Sequence, residues 1–178
     1  MAMSSAAPSL SQGVGAHNVF VYGSLLADEV VQVLLKRIPS NSPAILPGYH
    51  RFSIKGRVYP AILPVENKKV VGRVLMGITN PELHILDVFE DVEYVRDSIE
   101  VSLEDNLEKL QAYTYVWDDK NDPDLYGEWD FEEWKTKHMI DFIKMTEEFV
   151  EELEQPESKS RVATYDSYYQ SNDNPSSA

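Results

Sequence analysis

The chain has 178 residues, 43% of them hydrophobic, and no cysteine. That is one domain's length with enough apolar material for a packed core, and it excludes disulfides, thiol nucleophiles and cysteine-based zinc sites. The net charge of −14 is uneven: residues 1–117 carry −3 and residues 118–157 carry −11, a balance that disfavours nucleic acid and anionic lipid as partners.

No stretch approaches the ~20 apolar residues of a membrane span. Residues 1–16 lack the basic start and apolar run of a secretory signal and the arginines of a transit peptide. A soluble cytoplasmic protein is the expectation. Residues 1–17 are rich in Ser, Ala and Gly and are expected to be disordered. Val19–Tyr22 then reads as a strand that stops at Gly23, and Leu25–Arg37 as a helix with a buried face. A strand, a tight glycine turn and a helix start expose several backbone N–H groups at one point. With the helix dipole they favour an anion, so this corner is a candidate carboxylate or phosphate site. Pro39 and Pro43 are expected to break the chain. Tyr49–Lys55 alternates as a half-buried strand does, and Tyr59–Pro64 reads as a second, proline-bounded strand. Val70–Ile78 is apolar and glycine-broken, the pattern of a bend or bulge.

A helix is predicted over Pro81–Val92, with Asn80 as its N-cap. Strands at Asp97–Leu103 and Leu110–Trp117 follow, and short strands with proline and glycine corners indicate a small barrel. From Trp129 to Leu153, apolar residues recur at three and four positions: Phe131, Trp134, His138, Phe142, Met145, Phe149 and Leu153. This predicts one helix on the order of 35 Å long with an acidic outer face. Packing on the barrel is the expectation; a partner-binding helix is the alternative. Pro156 is expected to end it, ahead of a polar tail with Tyr165, Tyr168 and Tyr169. The chain thus divides into a disordered segment 1–17, one domain over 18–155 whose C-terminal helix covers 129–154, and a disordered tail 156–178.

Few residues offer chemistry. Phosphate loops of Walker or Rossmann spacing are absent. His17, His50, His84 and His138 show no metal-ligand spacing, and His138 lies on the apolar stripe. Ser24 follows a strand as a nucleophile elbow does, but the glycine pattern of that elbow is missing. Glu90 stands apart. On a helical wheel it lies ~20° from Leu83 and ~40° from Leu86, so it projects from the apolar stripe. A carboxylate held there is partly desolvated and becomes a better base. It could also be an edge residue or a buried ion pair with Arg57 or Arg96. Asp87 is a weaker candidate, as are Asp91 and Glu93, which are expected to face solvent.

In order along the chain, Val21-Tyr22-Gly23-Ser24-Leu25, Gly48-Tyr49, Tyr59-Pro60-Ala61, Val70-Val71-Gly72-Arg73-Val74 and Leu86-Asp87-Val88-Phe89-Glu90 resemble the γ-glutamyl cyclotransferase-like superfamily. The acidic C-terminal helix resembles its plant avirulence-induced-gene (AIG2-like) branch. The resemblance implies an α+β fold: a small mixed β-barrel with flanking helices and a long C-terminal helix. It implies a substrate loop at Tyr22, Gly23, Ser24, Leu25, Leu26 and Ala27, and Glu90 as the catalytic residue. The reaction implied is attack of a γ-glutamyl group's α-amine on its own γ-carbonyl, giving 5-oxoproline and an amine or amino acid. No metal or other cofactor is called for, and a monomer acting on a small γ-glutamyl compound is expected. A non-catalytic binding module on the same fold, or an interaction protein working through the acidic helix, are the competing readings.

Overall fold

The computed structural model describes residues 15–154, 164–166 and 168. Strands β1 (His17–Val21), β2 (Asn41–Ile54), β3 (Ala61–Ile78), β4 (Tyr94–Leu103) and β5 (Lys109–Trp117) run in the sheet order β3-β1-β5-β4-β2, and β2 pairs with β3 to close a five-stranded barrel. A two-residue strand, β6 (Leu125–Tyr126), pairs with the end of β2 at Ser53 and Ile54. The barrel is mixed because β1 runs parallel to β5 and antiparallel to β3. Helices α1 (Asp28–Leu35), α2 (Asn80–Glu90), α3 (Phe131–Lys137) and α4 (Met139–Leu153) flank it.

Of the two prolines expected to break the chain, Pro43 does not. β2 runs through Pro43 and Pro47 because from Asn41 to Phe52 its continuous partner is β3; on its other side β4 reaches just Ala44 and Ile45. A missing N–H is tolerated where no second ladder needs it. The two strands expected at Tyr59–Pro64 and Val70–Ile78 are parts of one, β3, which starts at Ala61. The expected bend lies at Gly77, whose φ of +70° coincides with a register shift against β1 between His17 and Val19. Gly72 matters for a different reason. A Cβ there would stand 2.3 Å from the Val21 carbonyl oxygen, so only glycine lets β1 lie this close.

The helix expected from Leu25 starts later. Ser24–Leu26 is a 3-10 turn, Ala27 is extended, and α1 begins at Asp28 with two acids, Asp28 and Glu29, at the positive end of its dipole. The cap of α2 is Thr79, not Asn80. Thr79 and Glu82 form a capping box, and Arg37 grips Glu82 with two hydrogen bonds of 2.6 and 2.7 Å. Helix α2 ends at Glu90 rather than Val92 because Asp91 adopts φ +68°, a conformation a side chain rarely takes.

The C-terminal segment is helical as expected, but in two pieces. His138 (φ −128°, ψ −12°) ends α3 and starts α4, and this break lets the Trp134 and Phe142 rings meet edge to face at 5.6 Å. The apolar stripe is covered: Trp134, Phe142, Met145 and Phe149 are at most 1% exposed. Phe89 of α2 meets Phe142 at 6.2 Å and Phe149 at 5.3 Å, both edge-on. Among the described residues no helix is long and apolar enough to cross a membrane. Residues 1–14, and with them most of the expected disordered N-terminus, lie outside the described residues, while His17 already belongs to β1. Pro156 as a helix stop also lies outside them, as does most of the expected tail. The described tail residues depart from that expectation: Thr164 and Tyr165 are buried, and Tyr165 lies edge-on to Tyr59 at 5.4 Å and beneath the Arg57 guanidinium at 5.6 Å. An aromatic ring next to a cation and a second ring has more to gain from that seat than from water.

This packing has two measurable consequences. Phe149→Ala removes a ring that anchors α4 to α2, and urea denaturation is expected to show a loss of about 3–5 kcal/mol. Burial alone would push the Glu82 carboxyl up, but hydrogen bonds from Arg37 and Thr79, with the Arg37 charge, outweigh it and hold the group below its ordinary 4.5. A carboxyl depressed in the folded state stabilises fully above its unfolded value and loses that contribution as pH falls through the folded one. The wild-type protein is therefore expected to weaken as pH drops below about 4.5. Glu82→Gln should be less stable at neutral pH and flatter over that acid range in urea titrations.

Candidate active site

β1 ends at Val21, so the chain leaves the barrel at one mouth and turns through Tyr22, Gly23, Ser24 and Leu25. The last two N–H groups of the turn close it: Leu26 donates to the Gly23 carbonyl at 2.9 Å and Ala27 to the Ser24 carbonyl at 3.1 Å. Arginines hold the other two carbonyls. Arg51 donates to the Tyr22 carbonyl at 2.9 Å, and Arg73 to the Leu25 carbonyl at 2.9 Å. In a planar trans peptide the N–H points opposite its C=O, so the Gly23 N–H faces away from Arg51. Arg51 and Arg73 thus orient the turn and place two guanidinium charges behind it. Burial lowers the Arg51 pKa, against the raising charges of Glu128 and Asp130. Gly23 is required for a reason the sequence does not display: a Cβ there would lie 2.8 Å from the Pro60 ring.

Glu90, the last residue of α2, meets this turn. Tyr22, Gly23, Ser24 and Leu25 line one cleft together with Glu90, which stands 65 residues beyond Leu25 in sequence. The cleft encloses about 430 Å³ counting its open mouth. Its other walls are mostly aromatic: Tyr94 and Tyr115 from the barrel, Tyr59 with Pro60 from the loop before β3, Phe89 from α2 and Phe142 from α4. Of the expected loop residues, Leu26 and Ala27 are not among its lining; they close the turn from behind. Ser24 has no histidine beside it among the residues that line the cleft.

The arginines considered as partners for Glu90 are paired with other acids. Arg57 binds Glu93 at 3.1 Å, and Arg96 binds Asp87 at 2.8 Å. Glu93 does not face solvent as expected. Its side chain is only 18% exposed, because Arg57 and the Tyr59 hydroxyl (3.0 Å) both bind it. Asp91 is half-buried and lines a neighbouring cleft with Asp87, Tyr94, Arg96 and Tyr115.

Three tyrosines set the geometry, and of these only Tyr22 is a site residue by sequence. Tyr22 donates to the Tyr115 carbonyl at 2.5 Å, Tyr94 to the Pro60 carbonyl at 2.7 Å, and Tyr115 to Asp87 at 2.6 Å. Burial, the Asp87 hydrogen bond and the charges of Asp87 and Glu90 raise the Tyr115 pKa far above the ordinary phenol value, so this hydroxyl keeps its proton. Chain distance hides these links: Tyr22 and Tyr115 are 93 positions apart, and no local pattern joins them.

The model of the family "Gamma-glutamyl cyclotransferase, AIG2-like" matches residues 19–135, which span the barrel, the turn and Glu90. AIG2-like protein D of Arabidopsis thaliana is 62% identical over 151 residues, covering 84% of this chain and 99% of that protein. A second Arabidopsis thaliana protein, with a solution structure, is 46% identical, with a TM-score of 0.62 over 83% of this chain and 99% of its own. A solved structure titled gamma-glutamyl cyclotransferase is 13% identical, with a TM-score of 0.52 over 88% of this chain and 99% of that one, a likeness of fold alone. The chain belongs to the AIG2-like γ-glutamyl cyclotransferase family.

Proposed function

We propose that the protein is a γ-glutamyl cyclotransferase that releases 5-oxoproline and an amine or amino acid from a small γ-glutamyl compound. The observation that carries this reading is the meeting of the Tyr22–Leu25 turn and the Glu90 carboxylate in one aromatic-walled cleft. The α-carboxylate of the substrate lies on the N–H groups of Gly23, Ser24 and Leu25, with Arg51 and Arg73 behind the turn. Its α-ammonium then faces Glu90, which takes a proton from it. The freed amine attacks the γ-carbonyl carbon of the same molecule, and a C–N bond forms as the ring closes. Glu90 gives that proton to the leaving nitrogen as the original γ-amide C–N bond breaks, then takes the second proton from the ring nitrogen and passes it to the departing amine, which leaves as an ammonium. One carboxylate serves as base and then as acid. Much of the rate comes from holding amine and carbonyl in attack geometry within one molecule. Aromatic walls suit this, because they hold the substrate folded and exclude water from the carbonyl. We place the enzyme in the cytoplasm, acting as a monomer without metal or organic cofactor. The interaction-protein reading lacks support in the described structure, since the stripe it needs is buried.

Glu90→Gln keeps the side-chain volume but cannot accept the proton. It is expected to lower 5-oxoproline release by about 10²–10⁴-fold with an unchanged melting temperature, measured across γ-glutamyl amino acids, γ-glutamyl amines and γ-glutamyl isopeptides. Full activity in this variant would remove Glu90 from the role of base. Gly23→Val drives a branched side chain into Pro60 and displaces the turn. Substrate affinity should fall sharply, read as a raised KM, and a crystal soak should show a γ-glutamyl ligand against the turn in the wild-type protein only.

A further inference from the structure

Tyr115 touches both halves of the cleft. Its backbone carbonyl accepts the Tyr22 hydroxyl at 2.5 Å, which holds the turn. Its own hydroxyl donates to Asp87 Oδ1 at 2.6 Å, which holds α2 three residues before Glu90. Asp87 is in turn fixed from its other oxygen by Arg96, at 2.8 Å, and Arg96 stands opposite Tyr115 in the β4–β5 ladder. Three and four residues along a helix share a face, so Asp87 and Glu90 face the barrel together. A rotation or slide of α2 that moves Glu90 must therefore stretch the Tyr115–Asp87 bond.

We propose that Tyr115 is the positioning residue of this site: anchored by the Asp87–Arg96 pair, it fixes the distance between the turn that receives the substrate and the helix end that carries Glu90. Tyr115 acts through its neighbours and performs no proton transfer, since its hydroxyl is committed to Asp87. The role follows from the bond geometry. A backbone carbonyl gives the turn an anchor that no side-chain change removes, whereas the hydroxyl is a single adjustable link to the base. The inference rests on the cyclotransferase reading for its consequences in catalysis, but the link itself is a property of the fold.

The charges around Glu90 make the link readable. From α2 comes Asp87; from β4, Arg96; and just beyond α2, Asp91 and also Glu93, which is neutralised by Arg57. Tyr22, Tyr59 and Tyr94 line the cleft, and α4 contributes Phe142 to its lining. Asp87 is thus an acid on the same helix face as Glu90, three residues before it, with Arg96 offsetting its charge. Removing Asp87 should make Glu90 easier to ionise, and removing Arg96 should make it harder.

The test follows the Glu90 carboxyl by carbon-13 NMR, its signal assigned by its loss in Glu90→Gln, alongside steady-state kinetics. In Asp87→Asn the Glu90 titration midpoint is expected to move down, and in Arg96→Gln to move up. In Tyr115→Phe, kcat should fall by about 10²-fold, the cost of a small misplacement of a reacting group, while KM stays near the wild-type value. A Glu90 signal that keeps its shift and midpoint in all three variants overturns the proposal. So does a Tyr115→Phe enzyme with wild-type kcat. Should Tyr115→Phe fail to fold, the two partly exposed changes at Asp87 and Arg96 decide the matter. Should the wild-type protein release no 5-oxoproline from any γ-glutamyl compound, the cyclotransferase reading falls, and the NMR midpoints still decide whether the linkage holds Glu90.

Discussion

Everything in this molecule depends on β1 being paired on both sides. Five residues, His17–Val21, are held antiparallel to β3 and parallel to β5, and Val19 and Phe20 are fully buried between them. With β1 in place the sheet closes and has no long open edge to cover. The last residue of that strand fixes where the chain must leave the barrel. It leaves at the mouth where Pro60 and the end of α2 also lie, so the turn has one place to go. Thr114, whose hydroxyl donates to the Phe20 carbonyl at 3.0 Å, adds a buried link across the parallel pair. Without glycine at 72 the two backbones could not approach this closely, and the mouth would open.

Around that mouth the charges are arranged to keep the interior simple. Two of the acids near Glu90 are answered by arginines on the barrel side, Glu93 by Arg57 and Asp87 by Arg96. Arg51 and Arg73 serve backbone carbonyls of the turn, and Arg73 also binds Asp28 at 2.7 Å. The bulk of the negative charge sits far along the chain, on α4 and the loop before α3, and points outward. Inside, aromatic rings do the packing. The Phe89–Phe142–Phe149 cluster binds α2 to α4 and places Phe142 in the wall of the cleft. The C-terminal helix is therefore part of the cleft as well as of the fold.

Local signals in the sequence are good guides where a single stretch decides the structure. The Val19–Tyr22 strand, the glycine turn, the α2 periodicity and the aromatic stripe of residues 131–153 all lie where the patterns place them. Simple angles along α2 also turn Glu90 toward the apolar side. What is not legible depends on partners distant in the chain. Pro43 looks like a breaker until β4 is seen to leave most of that side of β2 unpaired. Asn80 is a fair cap, but Thr79 wins because Glu82 and Arg37 complete its hydrogen bonds. Gly23 reads as freedom for the backbone, whereas the structure needs it small against Pro60. Tyr115 and Arg51 carry no chemical signal of their own, since their roles are defined by residues 20 to 93 positions away.

The parallel pairing of β1 with β5 also dictates an order of events during synthesis. Turn and helix α2 both emerge in the first 90 residues, yet the strand that locks β1 from its second side, Lys109–Trp117, comes later. Contacts this distant in sequence repay their loop-closure entropy only once both ends are present. Both the turn and Glu90 are thus synthesised before the strand that locks β1 from its second side. The wall that Phe142 contributes comes later still in the chain, so a complete cleft requires every strand of the barrel and α4 beyond it.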